Sequence, residues 1–316
     1  MAGKMGQSRI TRDLVIVGGG PAGMSAALVA AGNGVDTLLL EGGEQLGGQV
    51  FRQIDDPVPD LLGHFTISGP DLVKKFVAHL QQQQVEYRTG IRVLRVSRQS
   101  AHLALKTGEG SEILARRVLL ATGAVPRTLK VAGEHLAEAG SARKEIERFR
   151  GNRVVIVGGG DEAAETAVRL AEAGAQVQML VRAGLRARRR FRSRLLETPG
   201  IEILAGEQAA ALVGKERLEA VKLISGKLLP AEVCFIRIGV EVQLPDILPP
   251  LARHPDGRVA VDEAGRTSVK GIFAAGDITV PPERRYISAA IGQGAAAARM
   301  VEAELEEEEQ QQGQEQ

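Results

Sequence analysis

Gly18, Gly20 and Gly23 stand at the spacing G-x-G-x-x-G, and Gly158, Gly160 and Ala163 repeat it as G-x-G-x-x-A. The chemistry that this spacing serves is the holding of a pyrophosphate. The first glycine permits a tight turn, the second lets the main chain approach the phosphates, and the third lets a helix pack closely on a strand. Free N–H groups at the helix start, with the helix dipole behind them, attract the anion. Pro21 and Ala22 complete the first copy; Asp161 and Glu162 complete the second.

These turns need particular elements around them. Leu14-Val15-Ile16-Val17 precedes the first and Val154-Val155-Ile156-Val157 the second, each a β-branched apolar run, and an alanine-rich stretch of helical character follows each. The chain therefore spells strand, turn and helix twice. About 20 residues after the first turn, Leu38-Leu39-Leu40-Glu41 reads as a second strand with a carboxylate at its tip. Glu41 is placed to accept both ribose hydroxyls of an adenosine.

The second copy differs at that point. Its next strand is Gln176-Val177-Gln178-Met179-Leu180-Val181-Arg182, and the repeat offset sets Val181, followed by Arg182, where Glu41 stood. Arg186, Arg188, Arg189, Arg190, Arg192 and Arg194 follow. A carboxylate repels a 2′-phosphate, whereas a guanidinium pairs with it bidentately. The second turn is thus expected to prefer NADP over NAD, with Arg182 and Arg186 as its cations. The same arginines also read as a solvated helix face, or as a docking patch for an acidic partner.

Two further signals lie downstream. Ala121-Thr122-Gly123 ends the strand Val118-Leu119-Leu120, where the chain crosses between its halves. Gly271-Ile272-Phe273-Ala274-Ala275-Gly276-Asp277 is a short buried strand ending in Gly-Asp, before an alanine-rich helix from about Ile287 to Leu305. An aspartate there can hydrogen-bond a ribitol hydroxyl, and the following helix start can face an isoalloxazine carbonyl.

With these motifs the chain resembles the low-molecular-weight, thioredoxin reductase-like branch of the FAD-dependent pyridine nucleotide-disulfide oxidoreductases. The resemblance rests on GGGPAG at residues 18–23, Glu41, Gly47-Gly48-Gln49, Ala121-Thr122-Gly123, GGGDEA at 158–163 and GIFAAGD at 271–277. It implies an α/β fold of two Rossmann-like dinucleotide-binding domains, three-layered around parallel sheets, the second inserted in the first. It implies FAD at Gly18, Gly20, Pro21, Ala22, Gly23, Glu41, Gly42, Gly48, Gln49, Val93, Ala121, Thr122, Gly123, Gly276, Asp277, Tyr286 and Ile287. It implies NADP(H), or a second FAD, at Gly158, Gly160, Asp161, Glu162, Ala163, Arg182 and Arg186. The expected boundaries are FAD domain 11–127 and 244–305, inserted domain 128–243, and a disordered acidic tail 306–316. A homodimer is expected.

Thioredoxin reductases carry Cys-x-x-Cys just before the second glycine strand. The matching positions here are Ser141 and Lys144, and the sequence holds one cysteine, Cys234, in the apolar run Val233-Cys234-Phe235-Ile236. One thiol forms no intramolecular disulfide, so dithiol exchange is not expected. The family's His-Arg-Arg-x-x-x-Arg is half retained, as Leu180-Val181-Arg182 with Arg186. The leading expectation is electron transfer between NADPH and a small acidic carrier such as ferredoxin or flavodoxin, with no catalytic side chain needed. Two alternatives stay open: a pyridine-nucleotide-independent flavoenzyme with a second FAD, and a non-enzymatic flavin sensor.

Composition sets the remaining bounds. With 40 Lys+Arg against 39 Asp+Glu the net charge is +1, and Trp is absent, which argues against nucleic-acid stacking platforms. No apolar run reaches membrane-span length and no signal peptide is seen, so a cytoplasmic protein is expected. Asp55, Asp56, Asp60 and His64 read chiefly as a polar surface loop, with a proton donor to reduced flavin as the alternative. His102, His135 and His254 lack metal-ligand spacing.

Overall fold

The computed structural model describes residues 10–53, 58, 61–64, 66–138 and 146–314. In chain order the strands and helices are β1 (Ile10–Val17), α1 (Pro21–Gly32), β2 (Thr37–Leu40), α2 (Gly48–Gln53), α3 (Gly69–Gln82), β3 (Glu86–Arg88), β4 (Val93–Gln99), β5 (His102–Thr107), β6 (Glu112–Leu120), β7 (Ala124–Pro126), β8 (Arg153–Val157), α4 (Asp161–Glu172), β9 (Gln176–Val181), α5 (Arg189–Glu197), β10 (Ile201–Ala205), β11 (Ala209–Gly214), β12 (Leu218–Leu223), β13 (Leu228–Pro230), β14 (Val233–Ile236), β15 (Val240–Val242), β16 (Asp246–Leu248), β17 (Ile272–Ala274) and α6 (Ile287–Gln314). The chain is α/β, with parallel-rich sheets. It divides into two compact units: residues 1–124 with 242–316, and residues 125–241. The short strands β7 and β15, where the chain crosses, pair with each other.

In the first unit the sheet order is β16-β4-β5-β6-β1-β2-β3, with β17 also on β6. β1 lies between β2 and β6 and is parallel to both. Successive strand residues point to opposite faces. Leu14 and Ile16 therefore join Ala26, Ala27 and Ala30 of α1 and Ala297, Ala298 and Val301 of α6 in one core. Val15 and Val17 enter a second core with Leu103, Leu105, Ile247 and Val259. This is why the sequence reads as an unbroken apolar run: the strand is buried on both faces.

Alanines and glycines let α1 and α6 come very close. A Cβ added at Gly294 would lie 2.0 Å from the Ala22 carbonyl oxygen. Helix α6 also runs further than the sequence suggests. The expected disordered tail 306–316 is helical as far as Gln314. Its glutamates are tied to β6: Arg117 bonds to Glu304 at 2.9 Å and Glu308 at 2.6 Å, and Arg116 to Glu309 at 2.9 Å. Leu305 is buried one turn before. A run of like charges disorders only while it is unpaired, and this one faces two arginines of a neighbouring strand.

The second unit repeats the scheme at smaller scale. Its parallel sheet has the order β10-β9-β8-β14. Val154 and Ile156 pack on Ala163, Ala164 and Ala167 of α4. Val155, Val157 and Cys234 pack on Leu212, Val221 and Leu229 of the antiparallel β11-β12-β13 sheet.

Candidate dinucleotide sites

In open α/β sheets, ligands bind outside the carboxyl ends of the strands at the point where strand order reverses. In the first unit that point lies between β1 and β6, and the candidate residues converge on it. Gly18 has φ +112°, and a Cβ there would sit 2.3 Å from the Ala121 carbonyl oxygen. A Cβ at Gly23 would sit 1.8 Å from the Gly18 oxygen, whereas one at Gly20 would meet nothing within 4 Å. The middle glycine is thus the open one, the surface that an approaching phosphate needs. Pro21 and Ala22 form the first turn of α1, whose first turn holds no acidic side chain.

Glu41 follows β2 and bridges two main-chain donors. Its Oε2 accepts from Gly19 N and its Oε1 from Gly43 N, both at 2.7 Å. Gly42 lies against Arg92, 3.7 Å from where its Cβ would be. Val93 opens β4 with its side chain buried in the core, which leaves its main chain as the part able to meet a ligand. The neighbours that meet the Glu41–Gly42 turn are Ile91, whose N–H bonds to the Glu41 oxygen at 2.9 Å, and Arg92.

The far end of the site joins three separate segments. Gln49 Nε2 donates to Asp277 Oδ2 at 2.9 Å, and Gly123 lies beside the Gln49 amide. Gly276 N donates to Gln293 Oε1 of α6 at 2.8 Å. Thr122 Oγ1 donates to the Gln243 oxygen. Burial pushes the Asp277 carboxyl above the usual aspartate range, against the opposing influence of the Arg285 charge and the Gln49 hydrogen bond. Arg285 Nε is buried there without a hydrogen-bond partner. Such a donor is costly to leave unmet, by about 1–3 kcal/mol. Tyr286 is half exposed and Ile287 opens α6. The open Gly20, the Glu41 carboxylate and this unmet donor fit an elongated dinucleotide with polar groups at both ends, as FAD has. Arg285 is not legible from sequence, because one arginine between Arg284 and Tyr286 carries no spacing signal.

The second turn has the same build. Gly158 has φ +143°, a Cβ on it would lie 2.0 Å from the Arg237 oxygen, and Gly160 is open. Ala163 is fully buried against β8. Asp161 and Glu162 are committed locally. Asp161 accepts the Arg188 N–H at 2.6 Å and pairs with its Nε, and Glu162 lies 3.1 Å from Arg237 Nε. Arg182 and Arg186 are exposed, and among the described residues their side chains have no hydrogen bond or ion pair. Helix α5 starts at Arg189 with no acidic residue in its first turn and no side-chain cap. Cations at the positive end of a helix dipole are unfavourable, so this loop is preset for an anion.

Cys234 is fully buried, and burial pushes its thiol up to about 12. It is chemically quiet. Ser141 and Lys144, and the loop residues Asp55, Asp56 and Asp60, lie outside the described residues. Among the described residues there is no cluster of three His, Cys, Asp or Glu able to hold a metal, and no helix is long and apolar enough to cross a membrane.

The family model described as pyridine nucleotide-disulphide oxidoreductase matches residues 12–296. The chain belongs to that family. Members are oxidoreductases that use FAD and NAD(P)H. This member is 31% identical over 290 residues to the ferredoxin–NADP reductase of Ignicoccus hospitalis, covering 89% of this chain and 94% of that one. It is 30% identical over 298 residues to the thioredoxin reductase of Listeria innocua, covering 91% of this chain and 92% of that one. Thioredoxin reductase of Lactococcus lactis superposes with a TM-score of 0.78 at 28% identity, covering 92% of this chain and 98% of that one.

Proposed function

We propose that the chain passes electrons between NADPH and a small acidic protein carrier of the ferredoxin or flavodoxin kind, without dithiol exchange, and is not a thioredoxin reductase. The observation that carries this reading is the contrast between its two turns. One has a carboxylate beside it, Glu41; the other has the exposed cations Arg182 and Arg186; and the single thiol of the sequence is buried. The 31% identity to a ferredoxin–NADP reductase over nearly its full length supports it.

In this reading the first unit holds FAD. Gly18, Gly20, Pro21, Ala22 and Gly23 would hold its pyrophosphate, Glu41 beside Gly42 its adenosine ribose, and Gly48, Gln49, Ala121, Thr122, Gly123, Gly276, Asp277, Tyr286 and Ile287 its ribityl chain and ring. Bound FAD supplies the redox chemistry, exchanging hydride with the nicotinamide and single electrons with the carrier. The chain's own residues bind and orient. Asp277 is held in place by Gln49, and Gly276 by Gln293, so that hydrogen-bond geometry is set before the cofactor arrives. In the second unit Gly158, Gly160 and Ala163 seat the NADPH pyrophosphate, and Arg182 and Arg186 take its 2′-phosphate. Arg189 and Arg192 extend the exposed basic face toward an acidic carrier. The protein is taken to be a cytoplasmic homodimer.

The test is anaerobic. Flavins per chain are counted after denaturation, and NADPH and NADH are added separately while the visible flavin band is followed. Prompt bleaching by NADPH with one flavin per chain is expected. No bleaching with two flavins would replace this reading by the pyridine-nucleotide-independent flavoenzyme. One flavin reduced by no nicotinamide or carrier would favour the sensor.

A further inference from the structure

The two turns differ at one more position, on the opposite side of the glycine strand from Glu41. In the first unit the residue just past β6 is Ala121, whose N–H donates to the Val17 oxygen at 2.8 Å. In the second unit the residue just past β14 is Arg237, whose N–H donates to the Val157 oxygen at 2.8 Å. Both carbonyls crowd the first glycine of their turn, at 2.3 Å and 2.0 Å from an added Cβ. The positions are therefore equivalent, and an alanine at one is an arginine at the other.

The Arg237 side chain is only 10% exposed. Its guanidinium stacks over the Phe235 ring, 5.1 Å from the centroid. Its Nε reaches Glu162 Oε1, in the first turn of α4, at 3.1 Å. The cation thus leans against the very helix start that follows Gly158 and Gly160. Burial works against its charge, and the Glu162 charge compensates in part. Glu162 itself is 64% exposed, so water partly screens it, and Arg237 Nη1 donates to the Ile236 oxygen at 3.1 Å. Holding a guanidinium in a partly dry crevice costs free energy, and an anion on α4 recovers it.

We propose that Arg237 grips the pyrophosphate of the dinucleotide bound at the second turn. This rests on the second unit being a dinucleotide site, as argued above. Pyrophosphate is common to NADPH, NADH and a second FAD, so Arg237 sets affinity without choosing among them. The choice is left to Arg182 and Arg186, which face only a 2′-phosphate.

The test compares Arg237→Met with Arg182→Ala in the full chain with its flavin. Met fills similar volume, and Glu162 is exposed, so no buried charge is stranded. Arg237→Lys, which keeps the charge, covers the case in which Met perturbs folding; thermal melts of all three variants check this. Dissociation constants for NADPH, NADH and ADP-ribose are measured by titration calorimetry, and flavins per chain are counted. Arg237→Met is expected to weaken all three ligands by at least tenfold, and Arg182→Ala to weaken NADPH alone. Arg237→Lys should lie between. Binding within twofold of the parent, or a loss confined to NADPH, overturns the proposal. If the parent holds two flavins, loss of one in Arg237→Met supports it and retention of both overturns it. A parent that binds no dinucleotide in the second unit removes both this proposal and the functional reading beneath it, whereas loss of all three ligands without bleaching by NADPH removes the functional reading alone.

Discussion

Glu41 and Val181 occupy the same register position in the two nucleotide-binding folds. Val17 pairs with Leu40 and Val157 with Leu180, so the next residues correspond. Each also sits under the middle of its turn: a Cβ on Gly19 would lie 3.1 Å from Glu41 Cβ, and one on Gly159 3.0 Å from Val181 Cγ1. The position that holds a carboxylate bonded to Gly19 and Gly43 in one fold thus holds an apolar side chain in the other.

Glu41→Ala is expected to weaken FAD binding by at least tenfold. It removes the proposed ribose acceptor and also leaves the Gly19 and Gly43 N–H groups without their 2.7 Å partner. Equilibrium dialysis of the deflavinated protein measures this; unchanged FAD affinity would show that Glu41 only ties its own loop.

Arg182→Ala and Arg186→Ala should shift preference from NADPH toward NADH. A charge-assisted hydrogen bond contributes about 1.5–3 kcal/mol, or roughly 10- to 100-fold. The ratio of kcat/KM for the two nucleotides reads it directly. A parallel fall for both would place these arginines elsewhere than at the 2′-phosphate.

Reduction of an acidic carrier should slow steeply with added salt, since the exposed Arg189 and Arg192 act at long range. Reduction of a small neutral dye by the same protein should not. Equal salt dependence for both acceptors argues against a docking role for the basic face.

Asp277→Asn is expected to move stability and cofactor affinity in opposite directions. Burial raises the Asp277 carboxyl, so its charged form is disfavoured in the folded protein. A raised carboxyl contributes stability below its unfolded value, which is lost as pH rises through the folded one. At neutral pH the deflavinated Asn variant should therefore melt no lower than the parent, while FAD binds more weakly. A lower melting temperature for the deflavinated variant would contradict the burial argument.

The end of α6 should loosen in acid. Burial opposes ionisation of Glu308, but hydrogen bonds and charge from Arg117 and then Arg116 prevail and hold it below its ordinary 4.5. Such a group stabilises the fold above the unfolded value, and that contribution fades as pH falls through the folded one. Protection of the last turns of α6 against hydrogen exchange should fall in the parent as the pH drops through the acid range in which Glu308 takes up its proton. In Arg117→Met exchange should be fast already at pH 7, and the same slow exchange in both would show the helix end stands without β6.

Packing predicts one more effect. Gly294→Ala drives a methyl to 2.0 Å from the Ala22 oxygen and must separate α1 from α6. Overpacking of this kind costs about 1–3 kcal/mol, and more where backbone must move. A urea titration checks it; a midpoint equal to the parent's would mean that the helices part freely.

The two glycine turns, the Glu41 carboxylate and the Gly276-Asp277 motif were legible in the sequence because each depends on residue types at fixed short spacing. The fold class followed, since strand, turn and helix at that spacing bury both faces of a parallel sheet in only a few ways. What lies far apart in the chain was not legible. The Gln49 bond to Asp277 spans 228 residues. Arg237 carries no spacing signal, and only strand pairing shows that it holds in the second unit the position that Ala121 holds in the first. The acidic end of α6 read as a solvated tail because its partners, Arg116 and Arg117, sit nearly 200 positions earlier. Local rules set each element, but which charges are buried and which are paired is decided only when the sheet brings distant segments together.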